Sequence, residues 1–246
     1  MCGRFTSTTS SSDLAAYFES ETDLINEEPN FNVTPTSDIR VVREDDNGQR
    51  RIDLLSWGLV PQWAESPAMG SRLINARSET VAEKPSFRSA FRHRRCLIPV
   101  DGFYEWVALP GSSKKCPVYV SAKDSHPLAF AGIWETWKNR NFDGQDGDSH
   151  ELHSCAIITG PPNELLRPLH DRMPMILERP QWSEWLRTDE RSVPFLESLL
   201  MPASESLLQW WPVSTNVNNG RLHDASLIEP VEITPDGQAE GQGTLL

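Results

Sequence analysis

The sequence predicts an α+β fold in a single domain, with mixed or antiparallel β-sheets that form a barrel-like core with flanking helices. Two observations support this fold class. Short runs of β-branched and aromatic residues, bounded by Gly, Pro or Asp, dominate the middle of the chain, and helical patterns are concentrated in the remainder. The composition, with 38% apolar and 24% charged residues among 246, is typical of a soluble globular protein that buries a core without disulfides.

The N-terminal part of the chain is predicted to contain a helix and a β-hairpin. Ser12 precedes an amphipathic pattern that includes Leu14 and Phe18, and serine is a favourable N-cap residue. Residues 38–43 and 52–57 are two short β-like runs, separated by an Asp-Asp-Asn-Gly sequence that is typical of a turn. We therefore expect a helix of about two turns, followed by an antiparallel hairpin.

Strands are expected through the middle of the chain, and helices after them. Further strand-like runs occur at residues 96–106, 117–122, 128–137 and 152–159. Helical patterns follow at residues 163–169, 181–187 and 193–200. The acidic residues 141–151 predict an inserted surface loop, and the Gly- and Gln-rich residues 233–246 predict a flexible C-terminal tail. Because no repeat or linker interrupts the chain, one domain over residues 2–232 is the simplest organisation.

Charge is unevenly distributed along the chain. There are 23 Lys and Arg residues against 35 Asp and Glu, and the resulting net charge of −12 argues against a polyanionic partner. Residues 71–100 nevertheless have a net charge of +5, against −17 for the rest. Within them, Arg88, Arg92 and Arg95 recur on one face of a predicted helix. This basic stripe is a candidate phosphate-facing surface, but a solvated helix face that pairs with carboxylates explains the pattern as well.

Several function classes lack support in the sequence. No run of 18 apolar residues occurs, and residues 1–12 lack the apolar core of a secretory signal, so we expect a cytoplasmic protein. The four cysteines form no Cys-x-x-Cys pair, and His150 and His153 have no cysteine at ligand spacing. We therefore predict neither a disulfide framework nor a metal site. No phosphate-binding loop, nucleophile elbow or His-Glu-x-x-His motif indicates a cofactor or a familiar hydrolase.

Cys2 is the most distinctive candidate for chemistry. Aminopeptidase removal of Met1, which requires a small second residue, would give Cys2 both a free α-amine and a thiol. The ordinary pKa values of these groups are about 8 and about 8.5, so both are partly nucleophilic near neutral pH. The amine can condense with an aldehyde to an imine, which the thiol then closes to a thiazolidine ring. Alternatively, the amine accepts the thiol proton while the sulfur cleaves an amide. A cysteine at position 2 is otherwise an incidental small residue.

Six blocks of sequence resemble the SRAP family (SOS response-associated peptidase), the abasic-site processing proteins. In the family's order they are MCGRF at 1–5, NVTPT at 32–36, WGLVPQW at 57–63, NARSET at 75–80, RCLIPVDGFYEW at 95–106 and LHDRMP at 169–174. A further resemblance lies at residues 213–219. The resemblance implies a DNA-repair enzyme that forms a covalent crosslink with abasic sites in single-stranded DNA, including single-strand/double-strand junctions. It would act as a bacterial, cytoplasmic monomer that associates with the nucleoid when bound to DNA.

The resemblance also implies roles for individual residues. Cys2 would attack the ring-opened aldehyde, Asn75 would hold the terminal amine or the sugar, Glu105 would move protons at the amine, and His170 would act on the sugar oxygen. Phosphate contacts would come from Arg4, Arg77, Arg172 and the Thr159–Gly160 main chain. Aromatic residues within or beside the blocks are candidates for stacking on unpaired bases: Trp63, Phe103 and Trp106. Taken alone, Glu105 also fits a structural ion pair, His170 a helix end and Asn75 a turn cap.

Two other functions remain open at this point. The first is a peptidase with Cys2 as nucleophile, for which self-removal of Met1 is the surest amide substrate. The second is a non-catalytic single-stranded nucleic-acid binder that uses only the basic stripe and forms no covalent product.

Overall fold

Two β-sheets dominate the computed structural model, which describes residues 2–25, 27–45, 47–108, 115–139, 151–187, 191–233 and 239–240. The first sheet has the strand order β12 (Leu208–Pro212), β8 (Lys115–Ala122), β7 (Gly102–Ala108), β1 (Phe5–Ser7) and β2 (Asn30–Val33). The second has the order β11 (Met173–Pro174), β10 (Glu151–Gly160), β4 (Arg50–Trp57), β3 (Asp38–Glu44), β6 (Arg95–Val100) and β9 (Leu128–Lys138). The short strand β5 (Asn75–Arg77) pairs with β10.

The second sheet closes into a barrel. Strand β9 pairs with β6 on one side and with β10 on the other, so β10, β4, β3, β6 and β9 form a ring of five strands. All pairings in this ring are antiparallel except β4 with β10, which is parallel. The first sheet packs against the barrel through Phe5 on Trp57 and Phe103 on Phe130, with ring centroids 5.0 and 5.5 Å apart. The predicted α+β class with a barrel-like core is therefore confirmed.

The predicted hairpin is present as β3 and β4. Seven residue pairs join the two strands, from Asp38 with Ser56 to Glu44 with Arg50. The turn is fixed by Asp45, whose carboxylate accepts hydrogen bonds from the main-chain N–H groups beyond it. Gly48 has a φ of +81°, a conformation that glycine adopts without strain.

The predicted strand over residues 96–106 is in fact two strands. β6 belongs to the barrel and β7 to the first sheet, and Asp101 lies at the crossing between them. The Asp101 carboxylate accepts hydrogen bonds from the main-chain N–H groups of Thr8 and Thr9, and this contact ties the crossing to the end of β1. A continuous apolar run does not distinguish one long strand from two strands that change sheets, which explains the error.

Four short helices flank the sheets. They are α1 (Ser11–Phe18), α2 (Arg88–His93), α3 (Arg179–Leu186) and α4 (Val193–Ser198). The N-cap of α1 is Ser10, which accepts from the N–H of Asp13, and not the predicted Ser12. The predicted helix at 163–169 is a series of turns. Within the described part of the chain no helix exceeds eight residues, whereas a membrane-spanning helix needs about 20.

The predicted basic stripe is interrupted in the structure. Helix α2 ends before Arg95, which belongs to β6 and is 2% exposed. The Arg95 guanidinium donates hydrogen bonds to main-chain carbonyls at Phe91, Arg92, Trp185 and Arg187. Arg95 therefore joins α2 to the end of α3, and it does not face solvent.

The remaining predictions concern the acidic loop and the tail. The acidic loop at 141–151 lies outside the described residues, apart from Glu151 at the start of β10. The tail predicted at 233–246 also lies outside the described residues, apart from Ile233 and residues 239–240, where β14 (Ala239–Glu240) pairs with β13 (Glu232–Ile233).

Candidate active site

Cys2 lies three residues before the start of β1. This strand is flanked by β7 and β2, and its pairing with β7 places Phe5 opposite Phe103. The N–H of Tyr104 donates to the carbonyl of Arg4 at 3.0 Å, so the pairing continues toward the N-terminus. The antiparallel register brings Cys2 close to the part of β7 that contains Glu105. Cys2 is fully buried, and burial raises the pKa of its thiol, with the Glu105 carboxylate acting in the same direction.

Asn75 holds the main chain of Cys2. It begins β5, which runs parallel to β10 with Asn75 opposite Ile157. The Asn75 Nδ2 group donates to the carbonyl oxygen of Cys2 at 2.8 Å. Its Oδ1 atom is buried and accepts no hydrogen bond within the described residues. Asn75 therefore holds the Cys2 peptide in place, and its Oδ1 atom can accept a hydrogen bond from a further N–H or O–H group.

Glu105 is a buried carboxyl on β7. It is 5% exposed, and burial raises its pKa from 4.5 to about 7, while the charge of the chain's amino terminus and Lys115 act in the opposite direction. Asp171 raises the pKa further, since a second negative charge disfavours ionisation. A carboxyl with a pKa near 7 can donate and accept a proton under the same conditions, which is the property required of a general acid and base.

His170 lies in the turn before β11, and burial lowers its pKa. Its Nδ1 atom is 3.0 Å from the main-chain N of Arg172 and 2.7 Å from Oδ1 of Asp171. These two contacts require different protonation states, because Nδ1 accepts from the N–H only when unprotonated and donates to the carboxylate only when protonated. Burial favours the neutral ring, whose single proton is either on Nδ1, where it faces the Asp171 carboxylate, or on Nε2, with Nδ1 then accepting from the Arg172 N–H.

The three arginines predicted to bind phosphate have different surroundings. Arg77 is exposed, and its guanidinium has no ion pair within the described residues. Arg4 donates to Asn32 Oδ1 at 2.6 Å and to a main-chain carbonyl at 2.8 Å. Arg172 forms a bidentate ion pair with Glu79, with distances of 2.5 and 2.9 Å. That hydrogen bonding holds the pKa of Glu79 at about 2. Arg77 is therefore the arginine of the three that is most available to a phosphate.

The candidate stacking residues also differ in exposure. Trp63 is 51% exposed, and Trp106 is half-buried with its indole N–H donated to Asn218 at 2.8 Å. Phe103 is fully buried against the barrel, so the suggestion that it stacks on a base is wrong. Thr159 is fully buried as well, and its carbonyl accepts from the N–H of Ser78 and from Arg172. Its predicted phosphate contact remains a prediction.

Charged residues that the sequence did not indicate also influence the site. Lys115 and Asp171 both affect the pKa values of Glu105 and His170. Asp171 was visible in the LHDRMP block, between two assigned residues, but Lys115 had no local signal because its proximity depends on the pairing of β7 with β8. Among the described residues, no group of three or more His, Cys, Asp or Glu side chains is arranged to hold a metal ion.

Comparison with known proteins decides the family. A family profile described as SOS response associated peptidase (SRAP) matches residues 1–220. The chain belongs to the SRAP family. Among similar SRAP proteins, abasic site processing protein YoaM of Bacillus subtilis is 37% identical over 93% of this chain and 98% of its own length. Abasic site processing protein YedK of Escherichia coli is 31% identical over 94% of this chain and all of its own.

A more distant relative and a solved structure are also similar to this chain. Abasic site processing protein HMCES of Pongo abelii is 27% identical over 88% of this chain and 69% of its own length. A crystal structure of a protein from Bacteroides thetaiotaomicron superposes with a TM-score of 0.80, at 23% identity, over 94% of this chain and all of that one. At this identity the structural likeness supports the fold alone.

Proposed function

We propose that this SRAP protein is a cytoplasmic DNA-repair enzyme that captures abasic sites in single-stranded DNA through a covalent bond to Cys2. The names of the relatives, abasic site processing proteins, support the substrate class. The observation that carries the mechanism is the hydrogen bond from Asn75 Nδ2 to the carbonyl oxygen of Cys2. The segment before β1 also brings Cys2 beside the Glu105 carboxyl. A nucleophile at a chain terminus is useful only if the terminus is held in place, and Asn75 supplies that contact.

The proposed reaction requires the amine and the thiol of Cys2, and therefore prior removal of Met1. The neutral amine adds to the aldehyde carbon of the ring-opened deoxyribose, and the resulting carbinolamine loses water to give an imine. The thiol sulfur then adds to the imine carbon, and its proton goes to the nitrogen. One water leaves, new C–N and C–S bonds form, and the product is a thiazolidine.

Glu105 and His170 have the protonation behaviour that these steps require. The carboxyl of Glu105, with a pKa of about 7, accepts a proton from the attacking amine and returns it to the departing hydroxyl. The raised pKa keeps the Cys2 thiol protonated until it attacks, so ring closure also needs a proton acceptor nearby. Neutral His170 carries one ring proton, and its donation to the sugar ring oxygen would favour the open aldehyde.

The DNA approaches this site along exposed groups. Arg77 follows Asn75 on β5 and contacts a flanking phosphate, and Trp63 offers an exposed ring to an unpaired base. We propose a preference for single strands because a sugar that must reach the buried end of β1 cannot be covered by a complementary strand.

A denaturing gel tests the covalent step. An oligonucleotide with one abasic site should give a band shifted by the mass of the protein, and Cys2→Ala should abolish it. Cys2→Ser keeps the amine and loses the thiol, so it should form only an imine that borohydride traps, whereas the unmodified protein needs no borohydride. Cys96→Ala, which changes a buried cysteine of the barrel, is the matched control and should crosslink normally. Equal crosslinking by Cys2→Ala would refute the mechanism.

Self-removal of Met1 is a second candidate activity, favoured by the buried Glu105 carboxyl beside Cys2. Intact-mass measurement of Glu105→Gln and Cys2→Ser after expression separates it from the action of a host aminopeptidase. Retention of Met1 in both variants supports self-processing, while complete removal in both assigns the step to the host. Reversible, salt-sensitive binding to abasic DNA with no shifted band would instead indicate a non-catalytic binder.

A further inference from the structure

Unpaired positive charges are concentrated in one short part of the chain. Within the described residues, the following exposed side chains between positions 72 and 92 form neither an ion pair nor a hydrogen bond: Arg72, Arg77, Lys84, Arg88 and Arg92. In the rest of the described chain, the Lys and Arg side chains with this property are Lys115, Lys123 and Arg221. Cations that are not bound to the protein itself remain available to an anionic partner.

Three of these cations lie at regular intervals. The N–H of Lys84 donates to the carbonyl of Thr80 at 3.0 Å, and the N–H of Arg88 donates to the carbonyl of Lys84 at 2.9 Å. Helix α2 then continues from Arg88 to His93. Lys84, Arg88 and Arg92 are therefore each one helical turn apart along one side of the segment, at steps of about 6 Å.

The opposite side of this segment is fixed to the protein. Phe87, Ala90 and Phe91 are buried, and the rings of Phe91 and Trp185 have centroids 5.9 Å apart. The buried Arg95 guanidinium also donates to main-chain carbonyls at the end of α2. The three cations therefore project from a held main chain, so a ligand that binds them does not first have to order it.

This row of cations begins at the proposed active site. Arg77 follows Asn75 on β5, and the N–H of Thr80 donates to the carbonyl of Arg77 at 3.0 Å. The turns that lead to Lys84 thus start directly at Arg77. A strand whose phosphate contacts Arg77 has the next cations within reach on the same continuous segment.

Few carboxylates compete for these cations. Glu79 and Glu83 are the acidic residues between positions 72 and 94, and Glu79 is already paired with Arg172. The chain as a whole has a net charge of −12, which disfavours a polyanion over most of the surface. The local excess of unpaired positive charge therefore favours one path for a DNA strand.

We propose that Lys84, Arg88 and Arg92 bind successive phosphates of the DNA strand on one side of the abasic site, and so extend the contact made by Arg77. This inference rests on the proposed function, which places the strand at Asn75 and Arg77. Contacts of this kind are independent of base sequence, because they involve the sugar-phosphate backbone alone. A merely solvated helix face predicts no contribution to DNA binding.

These contacts can be measured without crosslinking. A single-stranded oligonucleotide with tetrahydrofuran in place of the abasic sugar has no aldehyde, so its Kd over a salt series reports binding alone. Each lost phosphate contact should reduce the slope of log affinity against log salt by about 0.7, and lower the affinity about 5-fold at about 0.1 M salt. The triple variant Lys84→Gln, Arg88→Gln and Arg92→Gln should lose about 2 in slope and about 100-fold in affinity.

Lys123→Gln is the matched control. Lys123 is also exposed and unpaired, but it follows β8 and lies outside the basic segment. Its replacement should leave the affinity and the salt slope of the unmodified protein. If the triple variant matches Lys123→Gln in both quantities, the proposal is wrong. All the replaced side chains are exposed, so the variants should fold, which a thermal melt verifies.

Shortened oligonucleotides test whether the row binds one flank of the strand. Removal of nucleotides from the flank that meets the three cations should weaken binding to the unmodified protein and eliminate its advantage over the triple variant. Removal from the other flank should leave that advantage intact. An advantage that responds equally to the two truncations would contradict a one-sided row.

Failure of this inference differs from failure of the proposed function. Absence of a crosslink between the unmodified protein and a true abasic oligonucleotide contradicts the proposed function, and the salt series with the tetrahydrofuran analogue still decides whether the phosphate contacts exist. Normal crosslinking by the unmodified protein, together with unaltered analogue binding by the triple variant, contradicts the phosphate row alone.

Discussion

Replacement of Glu105 by Gln tests the burial of the carboxyl on which the proposed chemistry depends. Burial raises the pKa of Glu105 from 4.5 to about 7. The folded protein therefore becomes less stable as this group ionises, because the charged form is better solvated in the unfolded chain. Gln keeps the size of Glu and cannot ionise, so Glu105→Gln should remove this destabilisation.

The sign and the size of the effect follow from the two pKa values of Glu105. Between pH 4.5 and about 7 the unfolded chain has lost the Glu105 proton and the folded chain retains it, so the free energy of unfolding falls as pH rises. The contribution of Glu105 to the free energy of unfolding is therefore largest below pH 4.5, and it is lost as the pH rises through about 7. At about 1.4 kcal/mol for each pH unit, the loss is about 3 kcal/mol, a large part of the stability of a typical domain.

Urea titrations at about pH 4, 6 and 8 measure this effect in the unmodified protein, in Glu105→Gln and in Glu83→Gln. The gain in stability of Glu105→Gln over the unmodified protein should grow by about 3 kcal/mol from the lowest to the highest pH. Exposed Glu83 is the matched control, and its variant should follow the unmodified protein throughout. A gain that is the same at all three pH values would refute the reasoning. Because Gln cannot transfer protons, the stabilised variant should also crosslink more slowly.

Three further changes test other parts of the structure. Arg95→Met leaves main-chain carbonyls without their donor and should lower the free energy of unfolding by at least about 3 kcal/mol in a urea titration. Replacement of exposed Arg92 by Met should lower it by less than about 0.5 kcal/mol, and similar losses in the two variants would contradict the burial of Arg95. Gly102→Ala would place a Cβ 2.3 Å from the Tyr119 ring, so we expect a Tm lower by about 4 °C or more, and an unchanged melt would disprove this close contact. Arg77→Ala should reduce the salt slope of single-stranded DNA binding by about one phosphate contact, and an unchanged slope would show that exposed Arg77 lies off the DNA path.

Local patterns in the sequence predicted the elements whose partners are near in the chain. The hairpin of β3 and β4 is an example, since its turn chemistry and its alternating residues lie within 20 positions. The closure of the barrel depends instead on pairing of β9 with both β6 and β10, and alternation alone does not specify which strands become neighbours. The fold class was therefore predictable, but the crossing at Asp101 was not.

The basic window shows a similar limit for the site. Counting charges predicted a positive surface over residues 71–100, but the count does not show which guanidinium groups are already paired. Arg94 is bound to Glu135 at 2.7 Å, and Arg95 is bound to main-chain carbonyls inside the protein. Arg77 remains exposed. Whether an arginine can bind DNA depends on whether its guanidinium already has partners in the folded protein. A count of charges along the sequence does not show those partners.

The location of the site explains why the first and fifth SRAP blocks occur together. A chain terminus normally frays, so a terminal nucleophile requires contacts that hold the terminal strand. The block at 95–106 supplies them: Asp101 accepts N–H groups at the end of β1, and Gly102 allows Tyr119 to approach and bond Thr6 at 2.8 Å. Strand β7 of the same block also contains Glu105, whose carboxyl lies close enough to Cys2 to influence the pKa of its thiol. The contacts that hold β1 and the carboxyl that transfers protons thus come from one continuous segment, Asp101 and β7. A change that loosens this segment should impair both the position of the nucleophile and its chemistry.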